Sequence, residues 1–202
     1  MKKLIGIWTL VLAFSTVTGC IGTPSAPTRF YMLDAMGGTA GGPPTAVTAE
    51  SALIAVAPVQ VPEYLNRPQM VTRLDRSEYR LDEFSRWMEP LADNLTRVIV
   101  ESLATLLQAD GMTVVPIERF IPADHTVEVR ALRMHGKRGG EVAAVFIWTL
   151  LGRDDKLLST KRAMYRQRAG DNTYAGLAEA HTRIVEALSR DIAEDIRRIA
   201  GR

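Results

Sequence analysis

The feature that most constrains the fold of this 202-residue chain is its single cysteine, Cys20, at the end of an N-terminal apolar run. One thiol cannot form a disulfide within the chain, so packing alone must hold the fold together. The run from Leu4 to Phe14 follows Lys2 and Lys3, and this order of charge, apolar core and small residues is typical of a secretory signal. The run is shorter than the ~20 residues of a membrane-spanning helix. The sequence therefore predicts an exported chain that folds without disulfides.

The four residues Val17 to Cys20 are similar to a bacterial lipobox, with an aliphatic residue, two small residues and a cysteine. In that motif the thiol receives a diacylglyceryl group, and a peptidase that needs narrow side chains cuts before the cysteine. The alternatives are an ordinary signal peptide with a chance cysteine and a transmembrane anchor. Two or three acyl chains of the palmitate type would anchor the chain durably, because one chain holds only reversibly. We expect residues 1–19 to be a signal peptide and Cys20 to be lipidated.

Removing residues 1–19 takes away Lys2 and Lys3 and no acidic residue, which leaves 23 basic and 23 acidic side chains. A nearly neutral chain is a poor partner for nucleic acid. The apolar content of 47% and charged content of 24% are ordinary for a globular protein. We expect residues 20–28 to form a lipidated tether and residues 29–202 to form a single domain.

The tether segment from Ile21 to Thr28 contains two prolines and small residues, a composition that stays extended and solvated. Eight residues at about 3.3 Å each reach at most ~26 Å, so the domain should lie close to the bilayer. In bacterial lipoproteins generally, an aspartate after the acylated cysteine favours retention at the inner membrane, and position 21 is isoleucine. We therefore expect the protein to be anchored at the periplasmic face of the outer membrane.

Hydrophobic periodicity predicts an α+β fold: a two-layer domain with a mostly antiparallel sheet and two main amphipathic helices packed on it. The first helix is expected from Pro90 to about Ala109, and the last should be capped by Asp171 or Asn172. A Gly/Pro-rich loop is expected at 37–44. Strands are expected at 30–33, 53–59, 69–74, 78–84, 112–117, 126–134, 142–151 and 157–168, the last three forming a meander.

The sequence contains no constellation typical of catalysis or metal binding. His125, His135 and His181 are isolated, and His181 is expected at the surface or boundary of a helix. Asp154 and Asp155 are adjacent in a predicted turn, where carboxylates are usually just solvated. Nucleotide-binding glycine motifs and a G-x-S-x-G elbow are also missing. We expect no enzyme activity, no cofactor and no metal.

Two tryptophans lie in different contexts. Trp148 falls within the apolar strand at 142–151 and is expected in the core. Trp87 comes just before the first helix, next to Met88, and both a core and an interface role stay open for it.

Three segments carry a family resemblance. RFYML begins at Arg29, VQVPEYLNRPQMV covers 59–71, and EFSRWMEPLADN covers 83–94. In this order and spacing, soon after a lipobox, they resemble the PqiC type of ABC-transport auxiliary lipoproteins, associated with paraquat-inducible and MCE-domain systems. The resemblance extends from about residue 17 to the final helix.

The resemblance implies a non-enzymatic, periplasm-facing lipoprotein. Its partner would be an MCE-domain protein that bridges the two membranes for the movement of lipid or a hydrophobic solute. The candidate binding surfaces are the strand edges of the domain and the loop from Tyr64 to Met70. Pro62 and Pro68 would stiffen that loop, although both prolines could equally just end strands. The partner-binding residues expected are Tyr64, Leu65, Arg67, Pro68 and Trp87.

Two other classes of function fit the same features. One is a structural lipoprotein that assists assembly of another outer-membrane machine, such as a secretin or a lipopolysaccharide translocon. The other is a secreted hydrolase with an unfamiliar site. A homo-oligomer is compatible with docking onto a multimeric bridge.

Overall fold

The structure is a computed structural model that describes residues 25–37, 51–118 and 122–201. Cys20, the signal segment and most of the 37–44 loop lie outside the described residues. Two helices and eight strands occur in the described ranges, and they confirm the α+β class. The strands are β1 (Arg29–Tyr31), β2 (Ala52–Val56), β3 (Gln69–Arg73), β4 (Tyr79–Trp87), β5 (Met112–Pro116), β6 (His125–Gly136), β7 (Glu141–Leu151) and β8 (Leu157–Arg168); the helices are α1 (Leu91–Leu107) and α2 (Tyr174–Ala200).

The strands form two mixed sheets rather than one. A five-stranded sheet has the order β5-β2-β6-β7-β8, in which β2 runs parallel to β5 and β6, and β6, β7 and β8 form the expected antiparallel meander. A three-stranded sheet has the order β1-β4-β3, with β1 parallel and β3 antiparallel to β4. The longest pairings are antiparallel, and the parallel ones are those that join strands distant in sequence.

Both helices pack on one face of the five-stranded sheet. Helix α1 contacts β5 and α2, and α2 covers β7 and β8. The apolar stripes of the two helices are fully buried between them and the sheet, as Leu95, Leu103 and Leu188 illustrate. Such burial supplies most of the free energy that favours folding, and it does so without any disulfide.

Helix α2 begins one or two residues later than expected. Its N-cap is Thr173, whose hydroxyl accepts a hydrogen bond from the N–H of Gly176 at 3.0 Å. Asp171 instead accepts from the N–H of Thr173 at 2.9 Å. The proposed caps Asp171 and Asn172 were therefore wrong, because the aspartate orders the turn before the helix.

A buried carboxylate fixes the inner faces of β7 and β8. Asp195 on α2 is 2% exposed. It accepts hydrogen bonds from Trp148 Nε1 (3.3 Å), Ser159 Oγ (3.0 Å), Lys161 Nζ and Arg198 Nη1 (3.1 Å). Burial raises the pKa of Asp195, but the hydrogen bonds from Lys161, Ser159 and Trp148 outweigh it, so the pKa lies below its usual value.

The small sheet lies where the described domain begins. The chain leaves β1, and the N–H of Leu33 donates to Asn94 Oδ1 in α1 at 2.8 Å. Leu33 is completely buried, which fixes the end of β1 against the helix. Strand β3 contacts β6 and so links the two sheets.

Candidate partner-binding groove

The loop from Pro62 to Pro68 has a hydrogen-bonded backbone. The N–H of Leu65 donates to the carbonyl of Pro62 at 2.9 Å, and that of Asn66 donates to Glu63 at 3.1 Å. At the far end, the carbonyl of Pro68 accepts from the N–H of Trp87 at 2.7 Å, which attaches the loop to β4. The loop is thus ordered before any partner binds, which lowers the entropy cost of binding.

This loop, β1 and the end of β4 together enclose a groove of about 340 Å³. Strand β1 contributes Phe30, which pairs in register with Arg86 of β4. The N–H of Met88 donates to the carbonyl of Tyr31 at 2.9 Å and holds the end of β4 against β1. We call this concavity the docking groove, and its lining residues include Phe30, Arg67, Pro68, Arg86, Trp87 and Met88.

The rim of the docking groove is apolar and open to solvent. Phe30 is 54% exposed and Met88 is 61% exposed, although both are large hydrophobic side chains. Single exposed apolar residues are ordinary on protein surfaces, but two that line one concavity are typical of a binding site. The groove can therefore bury apolar side chains of a ligand.

The groove also contains an arginine without a partner. The Nε atom of Arg67 is buried and has no hydrogen-bond partner among the described residues. Arg86 differs, because its Nε donates to the carbonyl of Glu83 at 2.9 Å and its Nη2 lies 3.2 Å from the Glu83 carboxylate. Buried polar groups normally have a hydrogen-bond partner. The N–H at Nε of Arg67 has none within the described ranges, so it can still donate to an acceptor of a bound partner.

The other side of the loop faces a separate aromatic cluster. The ring of Tyr64 packs against Tyr79, with centroids 5.7 Å apart, and Tyr79 meets the edge of His135 at 6.4 Å. Burial raises the pKa of Tyr64. Burial and the nearby Arg73 and Arg133 lower the pKa of His135. Tyr64 therefore holds the loop against the sheet rather than lining the groove.

The five residues expected to bind a partner lie in different places. Arg67 is partly exposed, Pro68 is exposed, and both line the docking groove. Trp87 is 6% exposed and belongs to the hydrophobic core, and it also lines the groove. Leu65 is 4% exposed in the core and Tyr64 packs against Tyr79, so neither lines the groove and any effect of these two on binding would act through the position of the loop.

Sequence reasoning did not identify Phe30 and Met88 as site residues. The sequence indicates a strand at Phe30 but not that Tyr31 turns inward while Phe30 turns outward. It gives Met88 no feature beyond its place next to Trp87. The register of the parallel β1–β4 pair brings them together, and a three-residue strand has too little alternation to indicate it.

The described residues contain no group of three or more His, Cys, Asp or Glu side chains that could hold a metal ion. Neither helix in these ranges is long and apolar enough to cross a membrane. Asp154 and Asp155 are exposed in a short 3₁₀ turn, with left-handed φ values of 57° and 56°. Tight turn geometry explains their presence, because aspartate tolerates that backbone conformation.

The expected surface position of His181 was wrong. His181 is 3% exposed, and its ring meets Trp87 edge-on with centroids 6.0 Å apart. Among the described residues neither ring nitrogen has a partner in good hydrogen-bond geometry, and the nearest to one is the backbone of Leu177, one turn earlier in α2, whose interaction raises the pKa slightly against the larger effect of burial. Burial lowers the pKa of His181 to about 4. Helix α2 packs on both α1 and the sheet, so its buried stripe is wider than periodicity alone indicates.

Solved structures share this fold at low sequence identity. A crystal structure of an uncharacterized protein matches with a TM-score of 0.69 and 20% identity, over 85% of this chain and 99% of that one. Protein XCC0632 from Xanthomonas campestris, of the DUF330 family, matches with a TM-score of 0.63 and 15% identity, over 82% and 93%. No curated protein matches the chain.

The sequence itself matches one family model. The model describes an ABC-type transport auxiliary lipoprotein component and covers residues 31–193. This range includes most of α2 and all of both sheets apart from the first two residues of β1. This match confirms the resemblance drawn from the three segments. The chain belongs to the family of ABC-type transport auxiliary lipoprotein components.

Proposed function

We propose that this protein is a non-enzymatic lipoprotein that docks a periplasm-spanning MCE-domain protein at the outer membrane. The transport system would move lipid or another hydrophobic solute between the membranes. The observation that carries the proposal is the docking groove, with its exposed apolar rim and an arginine that lacks a partner. Membership of a family of transport auxiliaries supports a docking role, and the preformed apolar concavity provides a surface for it.

The anchor in this proposal is a lipid on Cys20. Arg29, the first residue of β1, follows Cys20 by nine residues, which reach at most ~30 Å when fully extended. The docking groove includes Phe30, so it would remain within a few tens of Å of the leaflet. We expect Cys20→Ala to release the chain into the soluble fraction, and continued membrane retention would contradict the anchor.

The partner segment that fits the groove has two properties. It inserts one or two apolar side chains between Phe30 and Met88, and it presents a carbonyl or carboxylate to Arg67. A hydrogen bond to a charged donor contributes about 1.5–3 kcal/mol in a desolvated site. The ordered loop contributes by reducing the entropy lost on binding.

Co-purification of the MCE-domain protein from intact cells tests the proposal. Met88→Asp places a charge on the rim of the groove, and we expect it to reduce recovery at least tenfold. Leu157→Asp is the matched control, because Leu157 is 63% exposed at the start of β8, away from the groove. Equal recovery with both variants would contradict docking at this site.

The same experiment separates the competing functions. Recovery of a secretin or of a lipopolysaccharide-translocon protein in place of an MCE-domain protein would favour an assembly role. Hydrolytic activity that is lost on a single acidic or histidine substitution, with folding intact, would favour an enzyme.

A further inference from the structure

The five-stranded sheet has a second face, directed away from the helices. Trp148 of β7 and Ser159 of β8 point toward α2, because both donate to Asp195. Side chains alternate along a strand, so the odd-numbered residues of β7 point to the opposite face. These are the small or apolar Ala143, Val145 and Ile147.

Arginines border this apolar strip on both sides. On β6, Arg130 lies opposite Ile147 and Arg133 lies opposite Val145. On β8, Arg162 lies opposite the same Ile147 and Met164 opposite the same Val145. Arg166 follows opposite Ala143. We call this surface the arginine trough, and it consists of Arg130, Arg133, Ala143, Val145, Ile147, Arg162, Met164 and Arg166.

The charges of the trough are only partly neutralised. Arg166 pairs with Glu141 at 2.9 Å, and Arg130 donates to the neutral Gln60 at 3.0 Å. Arg133 and Arg162 are exposed and form no hydrogen bond or ion pair with any residue in the ranges that the structure describes. Glu128 lies on the same face beside Thr149, at one end of the trough. The face therefore has a positive excess around an apolar floor.

The dimensions of the trough match one α-helix. The two arginine rows are two strand spacings apart, about 9.5 Å, and the floor from Ala143 to Thr149 runs about 20 Å. A helix with its side chains is about 10–12 Å wide, and about 13 residues of helix span 20 Å. Val145 at the centre of the floor is only 3% exposed, so the apolar surface open to a ligand comes from the half-buried Ala143 and Ile147 and from Met164, which is 50% exposed at the edge of the floor.

We propose that the arginine trough binds an amphipathic helix of a partner protein, with an apolar ridge on the floor and carboxylates on both sides of that ridge. Charge complementarity selects the carboxylates, since both borders of the floor are basic. Within the described residues, helix α2 of a second copy is a poor match, because its exposed face alternates in sign and pairs Glu179 with Arg183 and Glu186 with Arg190. This inference does not depend on the docking groove.

The test uses the full lipidated protein in detergent and two synthetic helical peptides of about 14 residues. One peptide has a leucine ridge flanked by glutamates, and its match has lysines in place of the glutamates. Fluorescence anisotropy should show binding of the glutamate peptide that weakens as salt is added, and no binding of the lysine peptide. The double variant Arg133→Glu with Arg162→Glu should bind the glutamate peptide at least tenfold more weakly.

A control variant makes the test specific. Arg183→Glu with Arg190→Glu changes the same number of charges on α2, on the opposite side of the sheet, and it should retain full affinity for the glutamate peptide. In a Met164→Cys variant, the bound glutamate peptide should slow the reaction of the cysteine with a thiol-specific label. Equal weakening by both double variants would overturn the proposal, because nonspecific charge would then explain binding.

Two further outcomes would identify another occupant. Binding to vesicles containing anionic lipid that is lost in the Arg133→Glu, Arg162→Glu variant, without binding of the glutamate peptide, would assign the trough to a membrane surface. A change in oligomeric mass caused by this variant alone would assign it to a second copy. Either result would overturn the proposed partner helix, and neither would bear on the groove at Met88.

Discussion

Asp195 and Arg67 are both charged residues with buried polar atoms, and their surroundings differ. The carboxylate of Asp195 accepts hydrogen bonds from four side chains of β7, β8 and α2. The buried Nε of Arg67 has no partner among the described residues. Arg67 differs from the other unsatisfied buried groups, such as those of His181, because it lines a groove that is open to solvent, where the acceptor of a ligand would satisfy it.

This contrast separates the scaffold from the site. Around Asp195 every donor has an acceptor, and removing the acceptor should damage the fold. The Nε atom of Arg67 makes no hydrogen bond to the described part of the fold. Removing the arginine should therefore weaken partner binding and leave the fold intact. Three predictions test this separation, beginning with the largest effect on stability.

Asp195→Ala should lower the free energy of unfolding by about 3–5 kcal/mol, because Trp148, Ser159 and Lys161 lose their shared acceptor. Urea unfolding followed by circular dichroism measures it. Asp191→Ala is the matched control, since Asp191 is exposed and accepts from Tyr165 at 2.6 Å. The control should lose about 1 kcal/mol or less of its free energy of unfolding. Equal losses in the two variants would mean that the buried hydrogen-bond network around Asp195 adds nothing to stability.

His181 should make the protein less stable in acid. The unfolded chain binds the histidine proton below about pH 6.5, whereas the folded pKa is about 4. The unfolded state therefore holds more protons between these values, and stability falls as the pH drops through that window. The loss should reach about 3 kcal/mol near pH 4, at 1.36 kcal/mol for each pKa unit.

Comparing wild type with His181→Leu at pH 7, 5.5 and 4 isolates this effect. The variant should lose much less stability over the window, because leucine binds no proton in either the folded or the unfolded state. Parallel stability curves for the two proteins would show that His181 does not titrate in this way.

Arg67→Met should change the free energy of unfolding by less than about 1 kcal/mol, since the buried Nε atom has no hydrogen bond to lose within the part of the chain that the structure describes. The same variant should reduce recovery of the MCE-domain partner at least tenfold. Arg190→Met, which removes an exposed pair with Glu186, should leave both quantities nearly unchanged. A large loss of stability without a loss of binding would place Arg67 in the scaffold.

Sequence reasoning predicted the regions with long, regular patterns. The β6–β8 meander has ten or more residues in each strand, and Val127 and Val129 alternate with charged neighbours. Helix α1 was expected from Pro90 to about Ala109 and is observed from Leu91 to Leu107. In such segments the local pattern and the tertiary packing agree, so the pattern is sufficient.

The candidate site was only partly predictable because it depends on contacts between distant segments. Arg67 and Pro68 were identified from the loop sequence, and the structure places both in the groove. Phe30 lies more than fifty residues from Met88, and only the parallel pairing of β1 with β4 brings them together. The buried position of His181 likewise follows from helix packing on two sides, which periodicity does not encode.

The most direct measurement places a photo-crosslinking amino acid at position 88 in living cells and identifies the captured protein by mass spectrometry. We expect one dominant crosslink, to an MCE-domain protein, that is lost when Arg67→Met is added. The same crosslinker at position 157 should not capture that protein. Capture at 157 but not at 88, or capture of a secretin at 88, would contradict docking through the groove.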